Sequence, residues 1–324
     1  METLEGTELC FPQLFNNSCR KTKRPHFEAM LIYILVSSIS LLTVTLNLLV
    51  IISISHFRKL RNSTNLLLLS LAVSDFFVGL LMFFQIMLID SCWFLGDLMC
   101  VLYQYLAYII TSASVGNMVL ISADRYVAIC DPMRYSTKVT QKTVQGCVCL
   151  CWTGSISLQS LNLKDNLKQP GRYNSCSGEC IIGINYISGL ADLILTFIVP
   201  ITVIVVLYIR VFVVAVSQAR AMRSQIAAVS LVTAKKSEIK AARALGVVVV
   251  VFLICFCPYY CVALTSPDNL MNTSSATFVI SLIYVNSCLN PIIYAFFYPW
   301  FRKSVKLIVI LKILQPDSCD ANIL

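Results

Sequence analysis

The chain has 324 residues, of which 58% are hydrophobic and only 13% are charged, and its net charge is +9. Soluble domains contain roughly 25% charged residues, so this composition excludes a water-soluble protein and indicates an integral membrane protein. The net charge is positive, but the sequence has neither a nucleic-acid-binding motif nor a soluble domain, which argues against a nucleic-acid-binding protein.

Seven apolar segments are long enough to cross the hydrocarbon core of a bilayer, which takes about 20 residues. We therefore predict an all-α membrane protein, a bundle of seven transmembrane helices. The fourth segment is the weakest, because it is rich in Ser, Thr, Cys and Gln. In chain order the predicted spans are 29–55, 64–89, 98–123, 143–162, 184–209, 244–265 and 276–298.

Most of the 25 Lys and Arg residues lie in the C-terminal tail and in the connections after the first, third and fifth spans. Positively charged loops remain in the cytoplasm. We therefore expect a multi-pass protein of the plasma membrane, with its N-terminus outside the cell and its C-terminus in the cytoplasm.

Catalytic motifs are missing from the sequence, which has no HExxH, GxSxG, Walker loop or Cys-x-x-Cys pair. We therefore expect no enzyme activity and no cofactor. An odd number of spans without a repeated half also argues against most transporters.

The second span contains an aspartate, Asp75, about 16 Å from its inner end. A carboxylate among amides and hydroxyls suits a small cation such as sodium. The alternative is a structural polar cluster that only joins helices, and both remain open. Residues predicted at a similar depth are Asn47, Ser114, Asn286, Ser287 and Asn290.

The third span ends in Asp124, Arg125 and Tyr126, and Glu238 lies at the inner start of the sixth. An ion pair between Arg125 and Glu238 would hold two helix ends together until a partner separated them, as a two-state switch requires. The alternative is an interfacial charge cluster whose side chains reach toward water.

The fifth span contains one carboxylate, Asp192, within the apolar stretch "SGLADLILTFIVP". It lies roughly 12 Å below the predicted outer end of the helix. Ionisable groups inside spans are costly and therefore point to function. Proline interrupts the fifth, sixth and seventh spans at Pro200, Pro258 and Pro291, and span seven has no lysine that could hold retinal.

Several motifs resemble those of rhodopsin-like G protein-coupled receptors: "SLAVSD" in span two, "ADRYVAICDPMRY" after span three, Trp152 in span four and "FLICFCP" in span six. The stretch "NSCLNPIIYAFFYPWF" resembles the fingerprint of trace amine-associated receptors. The resemblance covers about residues 29–312. It implies four regions: an extracellular N-terminus (1–28), the helix bundle (29–298), an amphipathic helix eight (299–313) and a cytoplasmic tail (314–324).

The same resemblance implies roles for particular residues. Cys100 would pair with Cys180, and Cys176 with an N-terminal cysteine, for which Cys19 is a better candidate than Cys10. Independently of the resemblance, the sequon Asn16-Asn17-Ser18 in the predicted extracellular segment indicates glycosylation of Asn16, and palmitoylation of Cys319 stays open. The residues expected to couple the receptor to its G protein are Asp124, Arg125, Tyr126, Glu238 and Tyr294.

Two departures from the family pattern affect the ligand site. Aminergic receptors have an aspartate where this chain has Ala107, and a tryptophan where it has Phe256. Asp192 resembles the relocated aspartate of a branch that expanded in fish. Its alternative role is a structural hydrogen bond. The expected ligand-binding residues are Asp192, Tyr103, Ala107, Tyr108, Thr111, Thr196, Phe256, Tyr259, Tyr260 and Tyr284.

The resemblance therefore implies a receptor for small amines, of olfactory type, that activates a stimulatory G protein and raises cyclic AMP. Aromatic rings around a carboxylate suit an alkylammonium ligand. One alternative is a receptor for a ligand that is not an amine, and another is a channel or transporter. The sequence does not identify the amine or say whether it carries one ammonium group or two.

Overall fold

A computed structural model describes residues 8–14, 17–21, 25–89, 92–224, 246–262, 273–315, 318–321 and 323. In these ranges the chain is helical, and its only β-type pairings are two isolated bridges. The main helices are α1 (His26–His56), α2 (Ser63–Ile89), α3 (Gly96–Cys130), α4 (Gln141–Asn162), α5 (Tyr186–Leu193, Ile194–Ile198 and Val199–Ser224), α6 (Gly246–Val262), α7 (Thr273–Phe297) and α8 (Pro299–Val309).

These helices form the predicted bundle of seven spans. Four of them (α1, α2, α3 and the Tyr186–Val214 part of α5) are long and apolar enough to cross a membrane on their own. Helix α7 counts as a fifth when it is joined to α8, which bends away from it by 97°. Among the spans, helix α4 is rich in polar residues, as predicted, and the described part of α6 is short.

Helix α3 is central to the bundle, because it packs against α2, α4 and α5, while α7 packs against α1 and α2. Large apolar side chains on the outer faces stay exposed, such as Leu41 on α1 and Ile209 and Phe212 on α5. Lipid chains are as apolar as these groups, so this surface is suited to contact with the hydrocarbon core of a membrane and not with water.

A π-helical turn at Ile194–Ile198 interrupts α5, and the Val199 N–H donates to the Ile194 carbonyl. Pro200 explains this turn, because it has no N–H to donate and its ring clashes with the carbonyl four residues earlier. Such turns are frequent at functional sites. This one begins two residues after Asp192.

Helix α8 is shorter than the predicted 299–313. It ends at Val309, and a 3₁₀ turn, Lys312–Leu314, follows Leu311, whose backbone is left-handed with φ of 57°. Beyond it, the described part of the tail contacts the connection between α1 and α2. The Asp320 carboxylate accepts a bond from Arg58 Nη1 at 3.2 Å, and His56 Nε2 lies 3.0 Å from Ser318 Oγ.

Three disulfides connect the N-terminal segment and the loops at the same end of the bundle. The two predicted pairs, Cys19–Cys176 and Cys100–Cys180, are both bonded. A third, Cys10–Cys92, was not predicted. Cys10 therefore does not compete with Cys19 for Cys176. The predicted glycosylation site, Asn16, lies outside the described residues.

Candidate ligand-binding site

A cavity of about 700 Å³ opens between the helices at the disulfide-bearing end of the bundle. Small-molecule sites typically enclose about 300–1,000 Å³. Nine of the predicted ligand-binding residues line this cavity, and among the lining residues Asp192 is the only carboxylate. The predicted residues that line it are Asp192, Tyr103, Ala107, Tyr108, Thr111, Thr196, Tyr259, Tyr260 and Tyr284.

Phe256 is the predicted ligand-binding residue that does not line the cavity. Its side chain is only 2% exposed, and its ring centroid lies 4.4 Å from that of Phe252, the residue one helical turn away on α6. It belongs to the apolar core of the bundle. Its contact with ligand is therefore not supported, because core side chains occupy the space around it.

Two amide side chains of α4 hold the Asp192 carboxylate. Gln159 Nε2 donates to Asp192 Oδ1 at 2.7 Å, and Asn162 Nδ2 donates to the same oxygen at 3.2 Å. Asn162 also lies within 3.3 Å of Gln159 Oε1, so the two amides support each other. A buried carboxylate without hydrogen bonds is costly, and these neutral donors offset part of that cost without neutralising the charge.

Aromatic side chains surround the same end of the cavity. The rings of Tyr259 and Tyr260 meet edge to face at 5.2 Å, and Tyr260 stacks on Phe197 at 3.9 Å. Tyr108, Tyr259 and Tyr260 line the cavity together with Asp192. A negative charge beside aromatic faces suits a cation, through charge pairing and cation–π attraction.

Neutral polar groups gather in a separate part of the cavity, on α2, α3 and α7. Tyr103 Oη donates to Gln85 Oε1 at 2.7 Å, and Tyr284 Oη lies 3.4 Å from both of these atoms. Tyr103 also packs against Trp93, with ring centroids 5.5 Å apart. Below Tyr103 on α3, Ala107 contributes only a methyl group.

A buried polar cluster lies between α1, α2, α3 and α7. Asn290 Nδ2 donates to Asp75 Oδ2 at 2.8 Å, and Asn47 Nδ2 donates to the Ser287 carbonyl at 3.0 Å. Several buried oxygens of the cluster have no hydrogen-bond partner among the described residues. They are Asp75 Oδ1, Asn47 Oδ1, Ser114 Oγ, Asn286 Oδ1 and Asn290 Oδ1. Such oxygens are the ligands that a sodium ion would require, so the residues fit the predicted ion.

At the opposite end of the bundle, Arg125 is bound to its neighbour Asp124. Arg125 Nε donates to Asp124 Oδ2 at 3.0 Å, Nη2 donates to Thr64 Oγ1 at 2.7 Å, and the Tyr135 hydroxyl donates to Asp124 Oδ1 at 2.8 Å. Burial raises the pKa of the Tyr135 phenol, which is protonated at neutral pH even at the ordinary value of about 10. The predicted partner Glu238 lies outside the described residues, so its pairing with Arg125 stays a prediction.

Comparison with known proteins agrees with this arrangement. Residues 46–294 match the family model of the 7 transmembrane receptor (rhodopsin family). Trace amine-associated receptor 13c of Danio rerio is 36% identical over 98% of this chain and 97% of its own length. The Mus musculus trace amine-associated receptors 1 and 4 are 35% and 31% identical, over 90% and 98% of this chain and 92% and 95% of their own lengths.

The chain belongs to the trace amine-associated receptors of the rhodopsin family. It is therefore a multi-pass receptor of the plasma membrane and not an enzyme. Membership also implies a small-molecule ligand and a heterotrimeric G protein as its partners.

Two further predicted coupling residues of the receptor lie toward the end of the bundle that contains Arg125. Tyr294 is 1% exposed, and its ring lies 6.0 Å from that of Tyr298. Tyr126 packs beside Ile129 and Val211, where α3 meets α5. Both lie where a relative movement of these helices would change their packing.

Sequence reasoning missed Gln85, Gln159 and Asn162, which the receptor places in or beside its ligand cavity. The available signal was an amide side chain inside a span, because polar groups at membrane depth point to partners within the bundle. The sequence showed that span four is rich in polar residues, but it did not show which of them faces the cavity.

Proposed function

We propose that this receptor binds a small amine from outside the cell through Asp192, and that binding activates a stimulatory G protein that raises cyclic AMP. An olfactory role is part of the proposal. The observation that carries it is the position of Asp192, which is the sole carboxylate among the described residues that line the cavity and lies among aromatic rings and neutral amides. The similarity to receptors named for trace amines supports the same ligand class.

The ligand ammonium would pair with Asp192 in a charge-assisted hydrogen bond. No carboxylate is available at Ala107, so the amine would be held against α5 and not α3. In this respect the receptor would resemble the fish-expanded branch. The tyrosines of α3 and α6 would contact the cation through their faces. Removing one partner of a buried charge pair costs about 3–5 kcal/mol, which is more than about a hundredfold in affinity.

The proposed orientation has the N-terminus and the ligand cavity outside the cell. Disulfides form in oxidising compartments, and all three of them lie at the cavity end of the described structure. The basic loops favour a cytoplasmic location for the other end. A G protein would therefore meet the receptor at the end that contains Arg125.

Activation would be a shift between two conformations of the bundle. A ligand favours one conformation only if it binds that conformation more tightly. Asp192 lies beside the π-helical turn of α5, so an ammonium bound there could change the packing of α5 against α3 and α6. At the inner end, this change would release Arg125 from Asp124 for contact with the G protein.

The test is a cyclic AMP screen of small amines on cells expressing the receptor or its Asp192→Ala variant. Wild type should respond to at least one amine, and Asp192→Ala should lose that response at equal surface expression. Asp97→Ala is the matched control. Asp97 is also an acid near the outer end, but it does not line the cavity and instead accepts a hydrogen bond from Asn174. An amine that keeps its potency on Asp192→Ala would refute the proposal.

A further inference from the structure

The cavity has a second polar site, formed by Gln85 on α2, Tyr103 on α3 and Tyr284 on α7. We propose that this trio binds a neutral hydroxyl group of the ligand, so that the preferred ligand is an amino alcohol. The inference rests on the proposed function, because it assumes that Asp192 holds the ammonium. It adds a second requirement, that the ligand also carries a hydroxyl group.

Counting protons shows what the trio still offers. The Tyr103 hydroxyl donates its proton to Gln85 Oε1 at 2.7 Å. The Tyr284 hydroxyl lies 3.4 Å from Gln85 Oε1 and from Tyr103 Oη, so its proton is directed to one of these two acceptors. Both phenolic protons are then used inside the trio. What remains is the pair of N–H donors on Gln85 and the lone pairs of the phenolic oxygens.

A ligand hydroxyl matches these remaining groups. It has two lone pairs that can accept from the Gln85 amide and one proton that it can donate to a phenolic oxygen. A plain alkyl end would leave the amide without a partner when water is displaced, which is unfavourable. A hydroxyl end therefore gains affinity over an alkyl end of the same length.

An ammonium group does not match the trio. It carries a positive charge and offers only donors, and among the described residues that line the cavity no carboxylate other than Asp192 is found. Burying a charge without an opposite charge is far more costly than burying a hydroxyl. The trio therefore discriminates against diamines, whose second ammonium would be placed there.

Packing restrains Tyr103, and the trio lies on other helices than the carboxylate. Tyr103 packs between Trp93 at 5.5 Å and Phe84 at 5.8 Å, and it is only 5% exposed. Cys100, one helical turn above Tyr103, is bonded to Cys180. The trio belongs to α2, α3 and α7, whereas Asp192 and its amide partners belong to α5 and α4. A ligand that contacts both sites must span the cavity, and the small side chain of Ala107 leaves room for it.

The experiment compares three ligand series of matched chain length on the wild-type receptor: alkylamines, hydroxyl-terminated amines and terminal diamines. At the best chain length, the hydroxyl-terminated amine should be about tenfold more potent than the alkylamine, the size expected for one hydrogen bond. The diamine should be the weakest of the three. Equal potency of the hydroxyl and alkyl ligands, or a preference for the diamine, would overturn the proposal.

Gln85→Leu tests the residue directly. It keeps a similar volume but removes the amide, so it should abolish the tenfold difference between the hydroxyl-terminated amine and the alkylamine. The control Gln169→Leu removes an exposed amide from the outer loop, and it should keep the difference. If Gln85→Leu still responded more strongly to the hydroxyl-terminated amine than to the alkylamine, the assignment of Gln85 to the ligand hydroxyl would be wrong.

Gln85→Glu gives a second, independent result. It adds a negative charge to the trio and should make the terminal diamine the most potent of the three ligands. An unchanged ligand preference at normal surface expression counts against the proposal.

Asp192→Ala separates the present inference from the proposed function. If it abolishes every response while wild type does not distinguish hydroxyl from alkyl ends, only the present inference fails. If alkylamines act normally on Asp192→Ala, the proposed function fails.

Discussion

Individual hydrogen bonds determine how Asp192 can act. Its Oδ1 accepts bonds from Gln159 and Asn162, and both donors come from α4, the most polar of the predicted spans. Gln159 is 1% exposed, so water cannot replace it easily. These two amides are therefore positioning residues: they fix the carboxylate that we propose to bind the ammonium.

Replacing Gln159 should weaken every amine agonist. Gln159→Leu removes the stronger of the two donors to Asp192 while keeping similar volume, and a hydrogen bond to a charged group contributes about 1.5–3 kcal/mol. Potency should fall about tenfold or more for all amines alike. Dose–response curves for cyclic AMP measure this, and Gln159→Asn should recover part of the loss. Gln141→Leu, at the other end of α4, is the control.

The conclusion would be wrong if Gln159→Leu left all potencies unchanged. It would also be wrong if Gln159→Asn and Gln159→Leu were equally impaired at equal surface expression, because a purely structural defect would not depend on the remaining amide.

Arg125 is the residue on which coupling should depend. In the structure its guanidinium is held by Asp124 and Thr64. Arg125→Ala should leave ligand binding intact and abolish the cyclic AMP response. Radioligand binding and cyclic AMP assays on the same cells separate the two effects. A normal response from a well-expressed Arg125→Ala variant would show that the G protein does not need this side chain.

At the scale of helices, the polar cluster around Asp75 joins α2 to α7 through Asn290. We predict that sodium binds there and favours one conformation of the bundle, because a bound ion shifts the equilibrium toward the state that holds it. Agonist affinity should therefore depend on sodium in wild type and not in Asp75→Asn, with potassium as the control for ionic strength. Wild-type affinity that does not change with sodium would leave Asp75 with a structural role only.

The helices were largely predictable from the sequence, because crossing hydrocarbon requires a long apolar segment. Their ends were less predictable. Helix α3 continues to Cys130 and α5 to Ser224, beyond the predicted limits of 123 and 209. A helix outside the bilayer keeps its backbone hydrogen bonds without needing apolar side chains, so composition marks the span and not the end of the helix.

The site was predictable where a single residue is unusual and less so where partners matter. An acid in an apolar segment identified Asp192, and all five of the predicted tyrosines line the cavity. Gln159 and Gln85 were missed because their roles depend on which face of α4 or α2 turns inward. Phe256 was assigned to the ligand by family position, whereas packing places it in the core.

For the molecule as a whole, the disulfides tie the N-terminal segment to two loops. Cys10–Cys92 and Cys19–Cys176 attach it at separate points, and Cys100–Cys180 attaches the second of these loops to α3. The cap formed by these three bonds lies above the cavity. It therefore restricts the ends of α2 and α3 near the cavity, where Gln85 and Tyr103 are found.

The third bond, Cys10–Cys92, should stabilise the receptor without forming part of the ligand site, because neither cysteine lines the cavity. A disulfide typically contributes about 2–4 kcal/mol, so the double variant Cys10→Ser with Cys92→Ser should lower the unfolding temperature of the purified receptor. Agonist potency on correctly folded receptor should change far less than after the matched change at Cys100 and Cys180, which removes the attachment next to Tyr103. Mass spectrometry of non-reduced peptides would identify the pairing directly. Finding Cys10 joined to Cys176, or Cys92 as a free thiol, would contradict the arrangement of the cap.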